Sequence, residues 1–227
     1  MAEKKKQKHF VLVHGLCHGA WCWYKLKPQL ESAGHKVTVL DLAASGINMK
    51  TFGHDVPTFN DYTRPLLGFL ASLNEQAILV GHSFGGMSLA LAMDLFPHKI
   101  SVAVFLTAFM PDTIHQPSYV LDKSFKSNVF ELKDLELAKT LVRPGSLFQQ
   151  ELSKAKNFSD EGYGSVTRVY VVCDEDKAIN LEVQRWMIQN NPPKDVLEIK
   201  GADHMAMLSK TKQVCDSLLE IANKYAN

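Results

Sequence analysis

Ala77-Ile-Leu-Val-Gly-His-Ser-Phe-Gly-Gly86 reads first as a short buried strand and then, without a linker, as the start of a helix. The four apolar residues Ala77 to Val80 form the strand, and Gly81-His82-Ser83-Phe84-Gly85 is the turn. A serine at such a sharp strand-to-helix turn is lifted above the sheet edge, with its hydroxyl exposed. The flanking glycines let backbone pass close to backbone, where a Cβ would clash. The helix that follows points its free N–H groups at the serine, a setting that favours negative charge. Ser83 is therefore the candidate nucleophile.

Outward from this turn, apolar runs alternate with helical segments. Strands are expected at His9–Val13, Lys36–Asp41, Ala77–Val80, Ile100–Leu106, Arg168–Cys173 and Asp195–Ile199. Helices are expected at Trp21–Ala33, Asn60–Leu73, Phe84–Phe96, Leu181–Gln189 and Ser209–Tyr225, the first stopped by Gly34. The strands are continuous apolar runs, as fully buried parallel strands are. The alternation predicts an α/β fold, a mostly parallel central sheet with helices on both faces. Residues 9–110 and 165–227 form its core. Residues 111–164 break the pattern, with helices at Leu132–Leu141 and Leu147–Ala155 around Arg143-Pro144-Gly145. Such an insertion reads as a cap over the carboxyl ends of the strands, where ligands bind in open α/β sheets.

Composition narrows the function. The chain has 227 residues, 46% hydrophobic and 22% charged, which suits one globular domain with a large core. A formal net charge of +1 gives no electrostatic case for nucleic acid or an anionic membrane. The basic stretch over residues 1–8 reads as a solvated, disordered tail. No apolar run follows it to form a signal peptide or to cross a bilayer, so a cytoplasmic protein is expected. Cys17, Cys22, Cys173 and Cys215 include no C-x-x-C pair, so neither a zinc site nor a redox motif is indicated. No metal or cofactor is expected.

A serine hydroxyl needs an adjacent base to act as a nucleophile. In this architecture the base and its acid follow the serine in the order acid, then histidine. His204 lies just after the last strand, and Asp174, Glu175 and Asp176 just after the strand before it. Asp203 adjoins His204, but adjacent side chains rarely face each other. Ser83 would attack a carbonyl, His204 would carry the proton, and an acid of the first group, Asp176 being preferred, would orient the imidazole. Two backbone N–H donors must converge on the oxyanion. Phe84 follows the nucleophile, and Leu16 lies in the glycine-rich loop His14–Ala20 after the first strand. Gly15, Leu16, His18, Ser83, Phe84, His204 and Met205 are the expected substrate contacts. His14 and His18 are read as shaping their loop, and His82 as a packed elbow residue.

At this point the chain resembles the plant methylesterase and hydroxynitrile lyase family of α/β-hydrolases. The marks include Phe10-Val-Leu-Val-His-Gly15, His18-Gly-Ala-Trp21, Tyr24-Lys-Leu-Lys-Pro28, Gly81-His-Ser-Phe-Gly-Gly-Met87, Phe109-Met-Pro-Asp112, Val142-Arg-Pro-Gly-Ser146 and Asp203-His-Met205. They run almost end to end. The wording at Phe84–Leu89, Lys99–Phe105 and Leu135–Lys139 is nearest the family's alkaloid-ester branch. The resemblance places the catalytic triad on Ser83, Asp176 and His204, and the oxyanion donors on Leu16 and Phe84. It implies hydrolysis of the methyl ester of a small plant metabolite, an indole alkaloid ester in the narrowest reading, through an acyl-enzyme. The product acid then loses CO₂ if it is a β-formyl or β-keto acid. Dimers occur in the family, so the resemblance admits a homodimer.

Two departures speak against the lyase branch, where Thr stands at the position of Gly15 and Lys at that of Met205. Leu16, where small residues are common, crowds the oxyanion loop. In a third departure, Tyr119–Val129 passes directly to the cap's last helix, so the cap is shortened. The rival readings are a hydroxynitrile lyase on the same scaffold and a hydrolase-fold protein that binds a small molecule with weak turnover.

Overall fold

The computed structural model describes residues 6–124 and 135–226. Residues 1–5 of the expected tail, residues 125–129 of the short cap connection and residues 132–134 of an expected cap helix lie outside these. Six strands form one sheet: β1 (His9–Val13), β2 (Lys36–Leu40), β3 (Ala77–Ser83), β4 (Ile100–Ala108), β5 (Arg168–Cys173) and β6 (Asp195–Ile199). Their order is β2-β1-β3-β4-β5-β6, and every neighbouring pair is parallel. Strand order reverses beside β1, so the carboxyl ends of β1 and β3 flank the crevice where such sheets bind ligands.

Side chains alternate between two cores, as strand geometry requires. Val11, Val13, Leu79, Ala103 and Phe105 face one way, onto α2 (Phe59–Ser72), α3 (Gly85–Leu95) and α7 (Leu181–Asn190). Phe10, Leu12, Ile78, Val80, Val102 and Val104 face the other, onto α1 (Leu26–Ser32) and α9 (Thr211–Tyr225). The central strands β1, β3, β4 and β5 are thus buried on both faces and lack polar alternation, whereas the edge strands β2 and β6 are partly exposed and carry Thr38 and Glu198.

Local chemistry sets the helix ends. Thr58 caps α2 by accepting from the Asp61 N–H at 3.0 Å, and Asn180 caps α7 from the Val183 N–H at 3.0 Å. Such caps contribute about 1 kcal/mol each. Beyond α1, Gly34 takes φ +91°, while the Gly34 and His35 N–H groups return to the carbonyls of Glu31 and Leu30. This left-handed turn is open to glycine at little cost.

The expected helix over Trp21–Ala33 is divided. A 3₁₀ turn spans Ala20–Trp23, and α1 begins anew at Leu26. Pro28 has no N–H to donate and fits best in a first turn, and the helix restarts two residues before it. β3 and β4 run past their expected ends because their last residues still pair, His82 with Leu106 and Ser83 with Ala108. At the amino end, Lys8 is already tied to His35 and Lys36, so the hydrogen-bonded body starts one residue inside the expected tail.

In the cap segment α4 (Tyr119–Ser124) was not foreseen from the sequence, whereas α5 (Leu135–Leu141) falls in an expected helix. α6 is shorter than expected, at Gln149–Leu152. Phe148 before it sits at φ +50° and packs its ring among Phe52, Phe59 and Tyr62. The short α8 (Ala206–Ser209) precedes α9.

The elbow itself is assembled by close approach. A Cβ on Gly85 would lie 2.7 Å from the His14 carbonyl oxygen and 2.8 Å from that of Val13, both backbone atoms at the end of β1. Gly85→Ala is therefore expected to destabilise the fold by roughly 1–3 kcal/mol, read as a lowered urea midpoint.

Candidate active site

Ser83 ends β3 at φ +54°, a left-handed conformation uncommon for a side chain-bearing residue. It is half-buried, and its carbonyl accepts from the Phe109 N–H at 3.0 Å, which fixes the turn against β4. Asp176 follows β5, and His204 follows β6. The carboxyl ends of β3, β5 and β6, on one edge of the sheet, thus supply the three side chains.

His204 Nδ1 lies 2.7 Å from Asp176 Oδ2. The carboxylate is buried and held on both oxygens. Oδ1 accepts from the N–H groups of Ala178 (2.7 Å) and Ile179 (2.9 Å), and Oδ2 also accepts from Thr107 Oγ1 (2.5 Å). The neighbouring acids are occupied elsewhere. Asp174 accepts from the Gly201 N–H at 2.7 Å, and Asp203 accepts from the Met205 N–H and Ser209 Oγ, at 3.0 and 2.7 Å.

Leu16 lies in the loop after β1, and Phe84 between β3 and α3. Among the described residues neither amide has a backbone carbonyl partner. Gly15 presses on the elbow, since a Cβ there would lie 2.8 Å from Ser83 Cβ and 2.9 Å from His82 Nδ1. The Phe84 ring is buried against Phe59, Tyr62 and Phe109. His18 stacks on Trp21 and bonds through Nδ1 to the Leu16 carbonyl at 2.8 Å. Met205 is buried in the core layer of α1 and α9, while Leu16 packs against the opposite layer.

Three residues that support this arrangement escaped the sequence reading. Thr107, next to last in β4, stands at φ +35°, a costly backbone for a β-branched residue, and its hydroxyl reaches Asp176. Gln184, fully buried on α7, bonds the N–H and carbonyl of Cys173 and the Ile179 carbonyl, closing the loop that carries Asp176. Asp41 accepts from the Ala20 N–H at 2.7 Å and anchors the far end of the oxyanion loop. A lone polar residue on an otherwise apolar strand or helix face was the available signal for the first two.

Buried histidines surround the site. His14 Nδ1 donates to the Gly15 carbonyl (2.8 Å), and Nε2 accepts from the Leu42 N–H (3.1 Å). Burial drives its pKa from 6.5 down to about 4. His82 Nε2 donates to the His204 carbonyl at 2.8 Å. Burial first, then the neighbouring His204 and His18, holds His82 well below its ordinary value. The unfolded chain thus binds more protons than the native one between about pH 4 and 6.5. Stability is full above that window and falls as pH drops through it. His14 alone accounts for a loss on the order of 3 kcal/mol at the acid end. Denaturant titration at about pH 7 and about pH 5 should show the midpoint falling with acid, and His14→Gln should flatten the slope.

With this geometry in hand, known proteins give a consistent picture. Residues 10–217 match the family described as Alpha/beta hydrolase family. Methylesterase 1 of Arabidopsis thaliana is 53% identical over 263 aligned positions, covering 99% of this chain and 100% of the relative. Salicylic acid-binding protein 2 of Nicotiana tabacum is 51% identical over 259 positions, covering 97% and 99%. Among solved structures, the crystal structure of polyneuridine aldehyde esterase superposes with a TM-score of 0.90 at 48% identity, covering 96% of this chain and 100% of that one. Extensive identity, end-to-end coverage and the same all-parallel sheet together mean that this chain belongs to the α/β-hydrolase family, among its plant methylesterases, and is a carboxylic ester hydrolase.

Proposed function

We propose that the chain hydrolyses the methyl ester of a small plant metabolite through Ser83, His204 and Asp176. The observation that carries this reading is the 2.7 Å contact between His204 Nδ1 and a fully hydrogen-bonded Asp176, one sheet edge away from a serine at φ +54°. Asp176 accepts a hydrogen bond from His204 Nδ1–H, which keeps the proton on Nδ1 and leaves Nε2 as the base. Ser83 Oγ gives its proton to Nε2 as it attacks the ester carbonyl. The Leu16 and Phe84 N–H groups receive the oxyanion. His204 returns the proton to departing methanol, and water then releases the acid from the acyl-enzyme by the same route in reverse.

The bare Gly15 supports hydrolysis over cyanohydrin cleavage. No side chain stands between the loop and Ser83, and Met205 brings no charge. The narrower substrate reading, an indole alkaloid ester, rests on the stretches Phe84–Leu89 and Lys99–Phe105 and on the likeness to polyneuridine aldehyde esterase. The shortened cap is supported by the alignment with Methylesterase 1, whose 263 positions exceed the 227 residues of this chain by 36. A shorter cap leaves the site open to bulkier esters.

The test is acid release from methyl salicylate, methyl jasmonate, methyl indole acetate and an alkaloid β-aldehyde ester, followed by mass spectrometry. Turnover of at least one ester, abolished by Ser83→Ala, is expected. Tight binding of the free acids without turnover would favour the binding-protein reading instead, and cyanide release from a cyanohydrin would favour the lyase.

A further inference from the structure

We infer that Arg143 is a positioning residue for the oxyanion loop, latching the cap segment Val142–Ser146 onto Leu16 and Cys17. The inference rests on the esterase reading above.

The latch has two halves. Its guanidinium sits in a nest of backbone carbonyls from the loop after β2: Nη1 donates to the carbonyls of Gly46 (3.3 Å) and Asn48, and Nη2 to that of Lys50 (3.0 Å). The guanidinium's planar fork directs donors from two nitrogens at fixed angles onto three carbonyls, whereas an ammonium carries its three donors on a single nitrogen in a tetrahedral arrangement. Its own backbone supplies the second half. The Arg143 N–H donates to the Cys17 carbonyl at 3.0 Å. Two residues on, Gly145 lies so close that a Cβ there would be 2.7 Å from Leu16 Cδ1, 2.8 Å from Leu16 Cγ and 3.1 Å from Cys17 Sγ.

The loop needs this hold. Cys17 stands at φ +66°, an uncommon conformation that persists only where its surroundings impose it. His14 fixes the near end of the loop and Asp41 the far end, and His18 ties the middle to itself through the Leu16 carbonyl, so the hold from outside the loop on Cys17 comes through Arg143. The Arg143 N–H is the backbone donor that reaches Cys17, the residue after the proposed donor Leu16. A displaced oxyanion donor weakens the transition state more than it weakens substrate binding.

The experiment compares wild type, Arg143→Gln, Arg143→Lys and Gly145→Ala on the best methyl ester of the panel, with rates normalised to titratable Ser83. For Arg143→Gln, kcat is expected to fall about 10–100-fold with KM held within about twofold. A trifluoromethyl ketone analogue should lose affinity in the same proportion, while the product acid binds as before. Arg143→Lys should recover only part of the loss. Gly145→Ala keeps the guanidinium nest and pushes on Leu16, so it should lower kcat per titrated Ser83 while the protein still folds, with any fall in melting temperature read separately. It decides the matter if Arg143→Gln does not fold. An unchanged kcat per titrated site, or a loss confined to KM, would overturn the latch. A wild type without turnover or Ser83 labelling would instead overturn the esterase reading.

Discussion

Replacing Ser83 with alanine will lower kcat/KM for methyl esters by about 10⁴-fold or more and leave the fold intact. The substitution removes only Oγ. Alanine tolerates the left-handed backbone at position 83 no worse than serine does, and the Ser83 carbonyl that accepts from Phe109 is unaffected. The proposed oxyanion donors Leu16 and Phe84 are untouched, so the variant should still bind the product acid. Circular dichroism and the urea midpoint should match wild type while ester turnover disappears into the background rate. A variant that kept substantial turnover would place the nucleophile elsewhere.

Asp176→Asn should cost a similar amount, about 10⁴-fold in kcat, for a reason readable in the hydrogen bonds. Asp176 Oδ1 faces two backbone donors, the N–H groups of Ala178 and Ile179. An asparagine must keep its carbonyl oxygen there, because an amide NH₂ would meet both donors head on. Its NH₂ then takes the place of Oδ2 and points a donor at His204 Nδ1. The imidazole responds by carrying its proton on Nε2, the nitrogen that must accept from Ser83. Thr107 Oγ1 can rotate to accept the new N–H, so the variant should fold. Asp176→Ala removes the orienting group without forcing the wrong tautomer and should be less damaging to kcat than the asparagine. The ratio of the two variants tests the tautomer argument.

The parallel sheet was legible in the sequence because its central strands are buried on both faces. Their apolar runs needed no partner information, and β1, β5 and β6 have the expected bounds. Ser83 and His204 stood out as candidates because each lies at a strand's carboxyl end, one at a glycine-flanked turn. The acid was not settled by spacing, since Asp174, Glu175 and Asp176 all follow β5 and only three-dimensional packing sorts them. Asp174 is turned to Gly201, and Asp176 to His204. Thr107, Gln184 and Arg143 were invisible for a related reason. Thr107 and Arg143 act through contacts far along the chain, 69 residues from Thr107 to Asp176 and 97 from Arg143 to Gly46, and Gln184 acts on backbone groups of Cys173 and Ile179 that only the folded turn brings to it. The break at Pro28 was the reverse case, a local rule overridden by the long apolar periodicity around it.

The most direct measurement of the nucleophile is a fluorophosphonate probe followed by peptide mapping of the folded protein. A single adduct on the peptide carrying Ser83 is predicted, forming far more slowly in Asp176→Asn. An intact, folded chain that takes no adduct, or takes one at another residue, would contradict the assignment of Ser83.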